Sequence, residues 1–218
     1  MSQLCDIESV NEAFLLARDH FETMIYQLHS DPTAHMEHDQ VEALIKKLGI
    51  ELMRLLFQGH LNVRSKREVR MATVEGSDGI VRTHCRENCE RNLMSEFGQV
   101  VVRRKGYSVR GVASLFPLDK ELNLPEGKYS SELCRLVAQD VADSSFDEGV
   151  ESIGRTTGGK IPKRQIIEQT VEMVQDFDAF YNLPGKPEKQ SDLLVITVDG
   201  KGSVMRQEDL RPATRKAA

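Results

Sequence analysis

The sequence predicts an α+β fold that is mainly helical, and three observations lead to this class. In the first 60 residues, apolar side chains recur in steps of three and four, which is typical of amphipathic helices. The middle of the chain contains runs of β-branched residues separated by glycine-rich turns, a pattern typical of β-hairpins. Three short segments with capping serines and a glycine turn follow, and then an apolar run of the kind found in buried strands.

Residues 1–67 are predicted to form a helical hairpin. Pro32 ends the first helix within Ser-Asp-Pro-Thr, because proline cannot continue the backbone hydrogen bonds. The second helix ends near Gln58 or continues past Gly59 toward Arg67. Both apolar stripes are close to a heptad repeat, so the helices either pack only on each other or also form a dimer. The stripes consist of Ile7, Val10, Phe14, Ala17, Phe21, Met24 and Leu28, and of Val41, Leu44, Ile45, Leu48, Leu52, Leu55 and Leu56.

Residues 68–126 are predicted to be rich in β-hairpins. Residues 69–74 and 80–83 flank a turn with the sequence Glu-Gly-Ser-Asp-Gly, which favours a first hairpin. A short polar helix is expected around 86–96. The β-branched run 99–103 is expected to turn back at Lys105-Gly106 into 107–109 as a second hairpin, and 114–125 to form an ordered loop.

Residues 127–183 are predicted to form three helices. Ser130 or Ser131 caps the first helix and Ser144 or Ser145 caps the second. The Thr-Thr-Gly-Gly turn at 156–159 ends the second helix, and the third starts at Pro162, a favoured position for proline. Two capped helices and a glycine turn into a third helix are typical of a helix-turn-helix DNA-binding domain. An ordinary three-helix packing unit fits the same pattern.

The candidate DNA-binding residues lie at the start of the third helix. They are Lys160, Lys163, Arg164 and Gln165, with Arg155 just before the turn, and their side chains donate hydrogen bonds suited to bases and phosphates. The net charge of −5 excludes a uniformly basic nucleic-acid binder but allows such a local patch. Residues 154–160 read GRTTGGK, close to a phosphate-binding loop, but Ile161 stands where Ser or Thr would bind magnesium and no strand precedes it.

A linker at 184–192, rich in proline and glycine, separates the helices from the apolar strand 193–198. Asp199 follows that strand and begins the sequence Asp-Gly-Lys-Gly. An aspartate at this position is suited to a divalent cation, since magnesium prefers a few carboxylates together with water and phosphate oxygens. A plain turn is the alternative interpretation.

The remaining patterns point away from zinc and from membranes. Cys85 and Cys89 have no second Cys or His pair nearby, so they are expected to be an isolated pair on the polar helix. The sequence shows no apolar run of bilayer length and no secretory leader, which predicts a cytoplasmic protein without a membrane partner.

Five segments resemble the ISKra-type family of bacterial insertion-sequence transposases: GSDGIVRTH, FGQVVVRRKGYSVRG, SLFPLDKELNLPEGKYS, SSFDEGVESIGRTTGGKIPKRQ and LLVITVDGKGSVMRQEDLRPATRKAA. The resemblance covers residues 75–218. It implies that 193–218 begin a ribonuclease H-like catalytic domain, and that Asp199 is the first member of an Asp-Asp-Glu triad that binds Mg²⁺. It also implies that the helix-turn-helix binds double-stranded DNA at the terminal inverted repeats of the element.

Only 19 residues follow Asp199 in this sequence, and the second Asp and the Glu would lie beyond them. The sequence therefore predicts a DNA-binding part of a transposase that is catalytically inactive by itself. Two other interpretations stay open: a stand-alone helix-turn-helix regulator whose N-terminal hairpin dimerises, and a helical interaction protein with no role on DNA.

Overall fold

A computed structural model of the chain describes residues 7–173, all within one unit, Met1–Asp176. In this part of the chain, helices dominate and two small antiparallel sheets are present, so the predicted α+β class is confirmed. None of the helices in the described range is long and apolar enough to cross a membrane.

The N-terminal region contains four helices, α1 (Ile7–Ala13), α2 (Leu15–Leu28), α3 (Asp31–Ala34) and α4 (His38–Arg67). The prediction of one uninterrupted first helix is wrong, because the backbone leaves the helical conformation at Phe14. The Phe14 ring lies where a Cβ on Gly59 would be, 2.5 Å from Cδ1, so glycine provides the space for the ring. The longer of the two predicted ends of the second helix is correct.

The first predicted hairpin is present but shorter than expected, with strands β1 (Val74–Glu75) and β2 (Val81–Arg82). Arg82, only 2% exposed, holds its turn together. Its guanidinium donates to both carboxylate oxygens of Asp78, at 3.2 and 2.8 Å. It also donates to the carbonyls of Ile80 at 2.9 Å and Ala113 at 2.8 Å. These bonds tie the hairpin to the loop after the second sheet.

The Asp78–Arg82 pair makes the stability of this region depend on pH. The hydrogen bonds from Arg82 lower the pKa of Asp78 to about 2, from an ordinary value of 3.8. The pair therefore stabilises the fold fully above pH 4, and its contribution is lost as the pH falls from about 4 to 2. We expect the wild type to have a higher urea midpoint than Asp78→Asn at pH 6, and this difference to fall below pH 4 to a small remainder at pH 2. A difference that stays constant across this range would contradict the assignment.

The second sheet corrects two predictions. The strands are β3 (His84–Ser95) and β4 (Gly98–Ser108), which form one antiparallel hairpin closed by Glu96 and Phe97. The expected polar helix at 86–96 is therefore a strand, and the expected turn at Lys105-Gly106 lies inside β4. Gly106 serves close packing instead, since a Cβ there would be 2.8 Å from Cε1 of Phe116.

Burial explains why the polar segment forms a strand. Leu93 of β3 packs with Val100 and Val102 of β4 and with Leu61 of α4 in one buried cluster. These four side chains can be buried together only if β3 runs beside β4. The free energy expected from burying them outweighs the helical preference of the charged residues around them. The predicted loop 114–125 contains a short helix, α5 (Pro117–Glu121).

Candidate nucleic-acid interface

The three helices predicted for residues 127–183 are present as α6 (Ser131–Asp143), α7 (Phe146–Thr156) and α8 (Lys163–Met173). Ser130 accepts a hydrogen bond from the amide of Leu133, and Ser145 forms a reciprocal capping box with Glu148. A shared core holds the three helices together, formed by Tyr129, Leu133, Val137, Ile153, Ile161 and Ile166. This core fixes where the start of α8 faces.

The α7–α8 turn packs on the end of the β3–β4 hairpin. The amide of Gly158 donates to the carbonyl of Glu96 at 2.7 Å. A Cβ on Gly158 would lie 2.3 Å from the carbonyl oxygen of Phe97, and one on Gly159 would lie 2.9 Å from that of Ser95. The two glycines of GRTTGGK therefore allow two backbones to approach closely, which agrees with the interpretation of this segment as a turn rather than a phosphate-binding loop.

The predicted DNA-contacting residues lie together at the start of α8. The carbonyl of Pro162 accepts the first helical hydrogen bonds, from the amides of Gln165 and Ile166, so Pro162 caps the helix and does not belong to its first turn. Lys163 and Arg164 are exposed by 49% and 88%. Their partners are acidic residues at the protein surface: Asp147, 2.6 Å from Nζ of Lys163, and Glu168, 2.9 Å from Nε of Arg164. Gln165 also donates to Glu168.

The basic residues at the start of α8 are unfavourable for the stability of the helix itself. The N-terminal end of a helix carries partial positive charge, so cations there are unfavourable by roughly 0.3–1 kcal/mol each. The first turn of α8 contains Lys163 and Arg164 and no acidic residue. The start of α7, in contrast, contains Asp147 and Glu148, and the hydrogen bonds from Ser145 lower the pKa of Glu148. An anion bound at the start of α8 would relieve this repulsion.

Lys160 and Arg155 extend the basic surface away from the helix. Both side chains are exposed, and no ion pair involving either is present within residues 7–173. Lys46 of α4 donates from Nζ to the backbone carbonyl of Arg155 at 2.9 Å. A cation at this carbonyl stabilises the end of α7, where the helix presents unpaired acceptors. The contact also fixes α4 beside the turn.

Most of the basic residues of α6–α8 lie at one end of the three helices. Residues 129–173 contain eight acidic and five basic side chains, so α6–α8 as a whole are acidic. Four of the five cations are Arg155, Lys160, Lys163 and Arg164. A polyanion would therefore be attracted to the start of α8 and its turn, and repelled by the rest of the three helices.

The other predicted sites divide between the described and undescribed residues. Asp199, the linker 184–192, the strand 193–198 and the end of the third helix lie outside the described residues. Cys85 and Cys89 lie on β3, so their expected position on a polar helix is wrong. Between residues 7 and 173, no group of three or more His, Cys, Asp or Glu side chains is arranged to hold a metal ion.

Sequence reasoning missed a partly buried charge cluster between β3, β4 and α5, of which Arg104 is the buried member. Nε of Arg104 lies 2.8 Å from Oδ1 of Asp119, and Nη1 of Arg91 lies 3.4 Å from Oδ2 of the same carboxylate. The Arg104 guanidinium also stacks over Phe116, 4.1 Å from the ring centre. Burial raises the pKa of Asp119, and the two arginines oppose that rise. The available signal was the two-residue period of β4, which places Arg104 on the same face as Val100 and Val102.

The chain matches no protein family model, no curated protein and no solved structure.

Proposed function

We propose that the chain is the DNA-recognition part of a cut-and-paste transposase similar to the ISKra type. In this proposal α6–α8 form a helix-turn-helix whose third helix, α8, enters the major groove with its N-terminal end. Lys163, Arg164 and Gln165 then face base edges, while Lys160 and Arg155 face phosphates. The bound duplex is the terminal inverted repeat of the element.

The single observation that carries the proposal is the placement of two exposed cations in the first turn of α8, where they oppose the helix dipole. A three-helix unit that only packs has no need of this arrangement. A duplex takes the place of Asp147 and Glu168 as the partner of these cations, and the two ion pairs are exchanged at low cost because they are solvent-exposed.

The resemblance adds a role for Asp199. In the proposed full activity the Asp199 carboxylate would hold a Mg²⁺ ion, which would supply Lewis-acid chemistry for phosphoryl transfer. Since this residue lies outside the described range, its part in the proposal rests on the resemblance alone.

The experiment is a fluorescence anisotropy titration of the full chain with labelled duplex DNA bearing the ends of the element. We expect the double variant Lys163→Ala with Arg164→Ala to weaken binding at least about tenfold, because it removes donors to both bases and phosphates. The matched control is Arg86→Ala with Lys120→Ala, which removes the same two types of exposed cation elsewhere. Equal losses in the two variants, or no binding by the wild type, would contradict the proposal.

We also propose that a second copy of the chain covers the outer face of the N-terminal helices. α2 packs on α4 through Ala17 and Met24, yet Leu16 and Tyr26 are 67% and 77% exposed. So many large exposed apolar side chains on one helix are typical of a surface that a partner covers. A second copy carries the same patch, so one two-fold contact would cover both. Further exposed members on these two helices are Leu15, Phe21, Ile25, Leu28, Ile45, Met53 and Leu56.

This interface predicts a change in oligomeric state. We expect the wild type to sediment as a dimer, and Leu16→Glu with Tyr26→Glu to sediment as a monomer, because two buried charges in the contact would be unpaired. The control is Val69→Glu, a similarly exposed apolar residue outside the patch. A wild type that sediments as a monomer at micromolar concentration would contradict the prediction.

A further inference from the structure

We infer that a basic groove between α4 and the α7–α8 turn holds the phosphate backbone of DNA beside the segment that α8 contacts. This inference rests on the proposed function and extends it to a second surface. The groove has a volume of about 710 Å³ and lies between α2, which contributes His20, α4, the end of the β3–β4 hairpin and the turn. Much of its surface is apolar, with Ile50, Met94 and Phe97 among the lining residues, and the charged groups lie around it. Its charged lining residues are Lys47, Glu51 and Arg54 of α4 and Lys160 of the turn.

The charges that line the groove are mainly positive. Glu51 is paired with Arg54, with Nε of Arg54 at 2.8 Å from the Glu51 carboxylate, and this contact lowers the pKa of Glu51. That pair is neutral as a whole. Lys47 and Lys160 have no acidic partner within the described residues, so the groove keeps a surplus of two positive charges. A nucleic-acid phosphate backbone binds such a positively charged groove favourably, since each contact between a lysine and a phosphate releases a condensed counterion.

The groove is continuous with the start of α8. Lys160 belongs both to the groove and to the turn that leads into Lys163. Lys46, beside Lys47 on α4 but not part of the groove lining, donates from Nζ to the carbonyl of Arg155. Lys46 and Arg155 are 109 residues apart in the sequence. They become neighbours only because α4 packs beside the turn. Helix-turn-helix proteins position their third helix through backbone contacts from neighbouring elements, and α4 is such an element here.

Positioning contacts and base contacts differ in their dependence on salt and on sequence. Removal of a lysine that contacts phosphate weakens binding to all duplexes by the same factor and reduces the steepness of log K against log salt by about one. We therefore expect Lys47→Ala to reduce that steepness by about one and to weaken binding equally on element ends and on an unrelated duplex. The Lys163→Ala, Arg164→Ala variant should lose preference between the two duplexes.

The experiment measures anisotropy for the full chain between 50 and 300 mM KCl, with Lys120→Ala and Lys128→Ala as the matched control pair. The second groove variant, Lys47→Gln, keeps a long polar side chain without the charge and is measured alongside, with the same expected change of about one. Unchanged slopes in both groove variants, with weakened binding by the α8 variant, would overturn the groove and leave the proposed function standing. A wild type that does not bind duplex DNA, or prefers duplex RNA, would overturn both.

Discussion

Replacement of Arg104 by leucine is expected to destabilise the fold by about 2–3 kcal/mol, because it removes a buried guanidinium and leaves the half-buried Asp119 carboxylate with Arg91 alone as its partner. Arg104 is 8% exposed on its side chain, and Asp119 is 20% exposed. Glu68 lies close enough for its charge to act on Arg104, and it accepts a hydrogen bond from the amide of Lys105 at 2.7 Å. Without the guanidinium, the repulsion between the Asp119 and Glu68 carboxylates is offset only by Arg91 and Lys105. Urea unfolding followed by circular dichroism measures this loss.

The neighbouring residue provides the control. Arg103 is 46% exposed and pairs with Glu90 at the surface, so Arg103→Leu should cost less than about 1 kcal/mol. Adding Asp119→Asn to Arg104→Leu should recover part of the lost stability, since the neutral amide carries no charge to desolvate. Equal costs for Arg103→Leu and Arg104→Leu would show that the cluster is not a buried ionic contact.

Gly158→Ala is the second large expected effect, a loss of about 2–3 kcal/mol. The added methyl group would lie 2.3 Å from the carbonyl oxygen of Phe97 and 2.6 Å from Cγ2 of Ile50. The Phe97 oxygen belongs to the backbone of a tight two-residue turn, so it cannot move without disturbing the β3–β4 hairpin. Because the turn then separates from the hairpin, we also expect weaker DNA binding by this variant at temperatures where it is folded.

Gly154 of the same segment provides a control, because its replacement by alanine is expected to increase stability rather than decrease it. It lies within α7 and a Cβ there would meet no atom within 4 Å. Gly154→Ala should therefore stabilise the fold by up to about 1 kcal/mol through helix propensity. Thermal unfolding of both variants tests the pair. A destabilising Gly154→Ala, or a neutral Gly158→Ala, would mean that the turn does not pack as described.

Local signals predicted the helices well and the central sheet poorly. Ser130 and Ser145 cap α6 and α7 through their own side chains, and this chemistry can be seen within four residues of sequence. The strand β3, in contrast, forms from a segment rich in charge because Leu93 must meet Val100 and Leu61. That requirement lies in the tertiary structure and leaves little trace in the local pattern.

Some residues of the candidate site could likewise be predicted from local sequence and others could not. Lys163 and Arg164 could be found because they follow a glycine turn and a proline at the start of an apolar-periodic segment. Lys46 and Lys47 could not, since they lie in the middle of an ordinary amphipathic helix, and only packing brings them to the turn. Gly106 was misleading because a glycine that allows close approach to Phe116 looks, in sequence, like one that makes a turn.

Photocrosslinking from α8 to labelled duplex DNA tests the central claim most directly, because it reports contact rather than affinity. A photoreactive amino acid at position 164 of the full chain is predicted to crosslink to bases within the element ends. The same group at position 86, an exposed site on β3, should give no crosslink. Crosslinks from position 86 and none from position 164, under conditions where the chain binds DNA, would contradict the claim that the start of α8 contacts the bases.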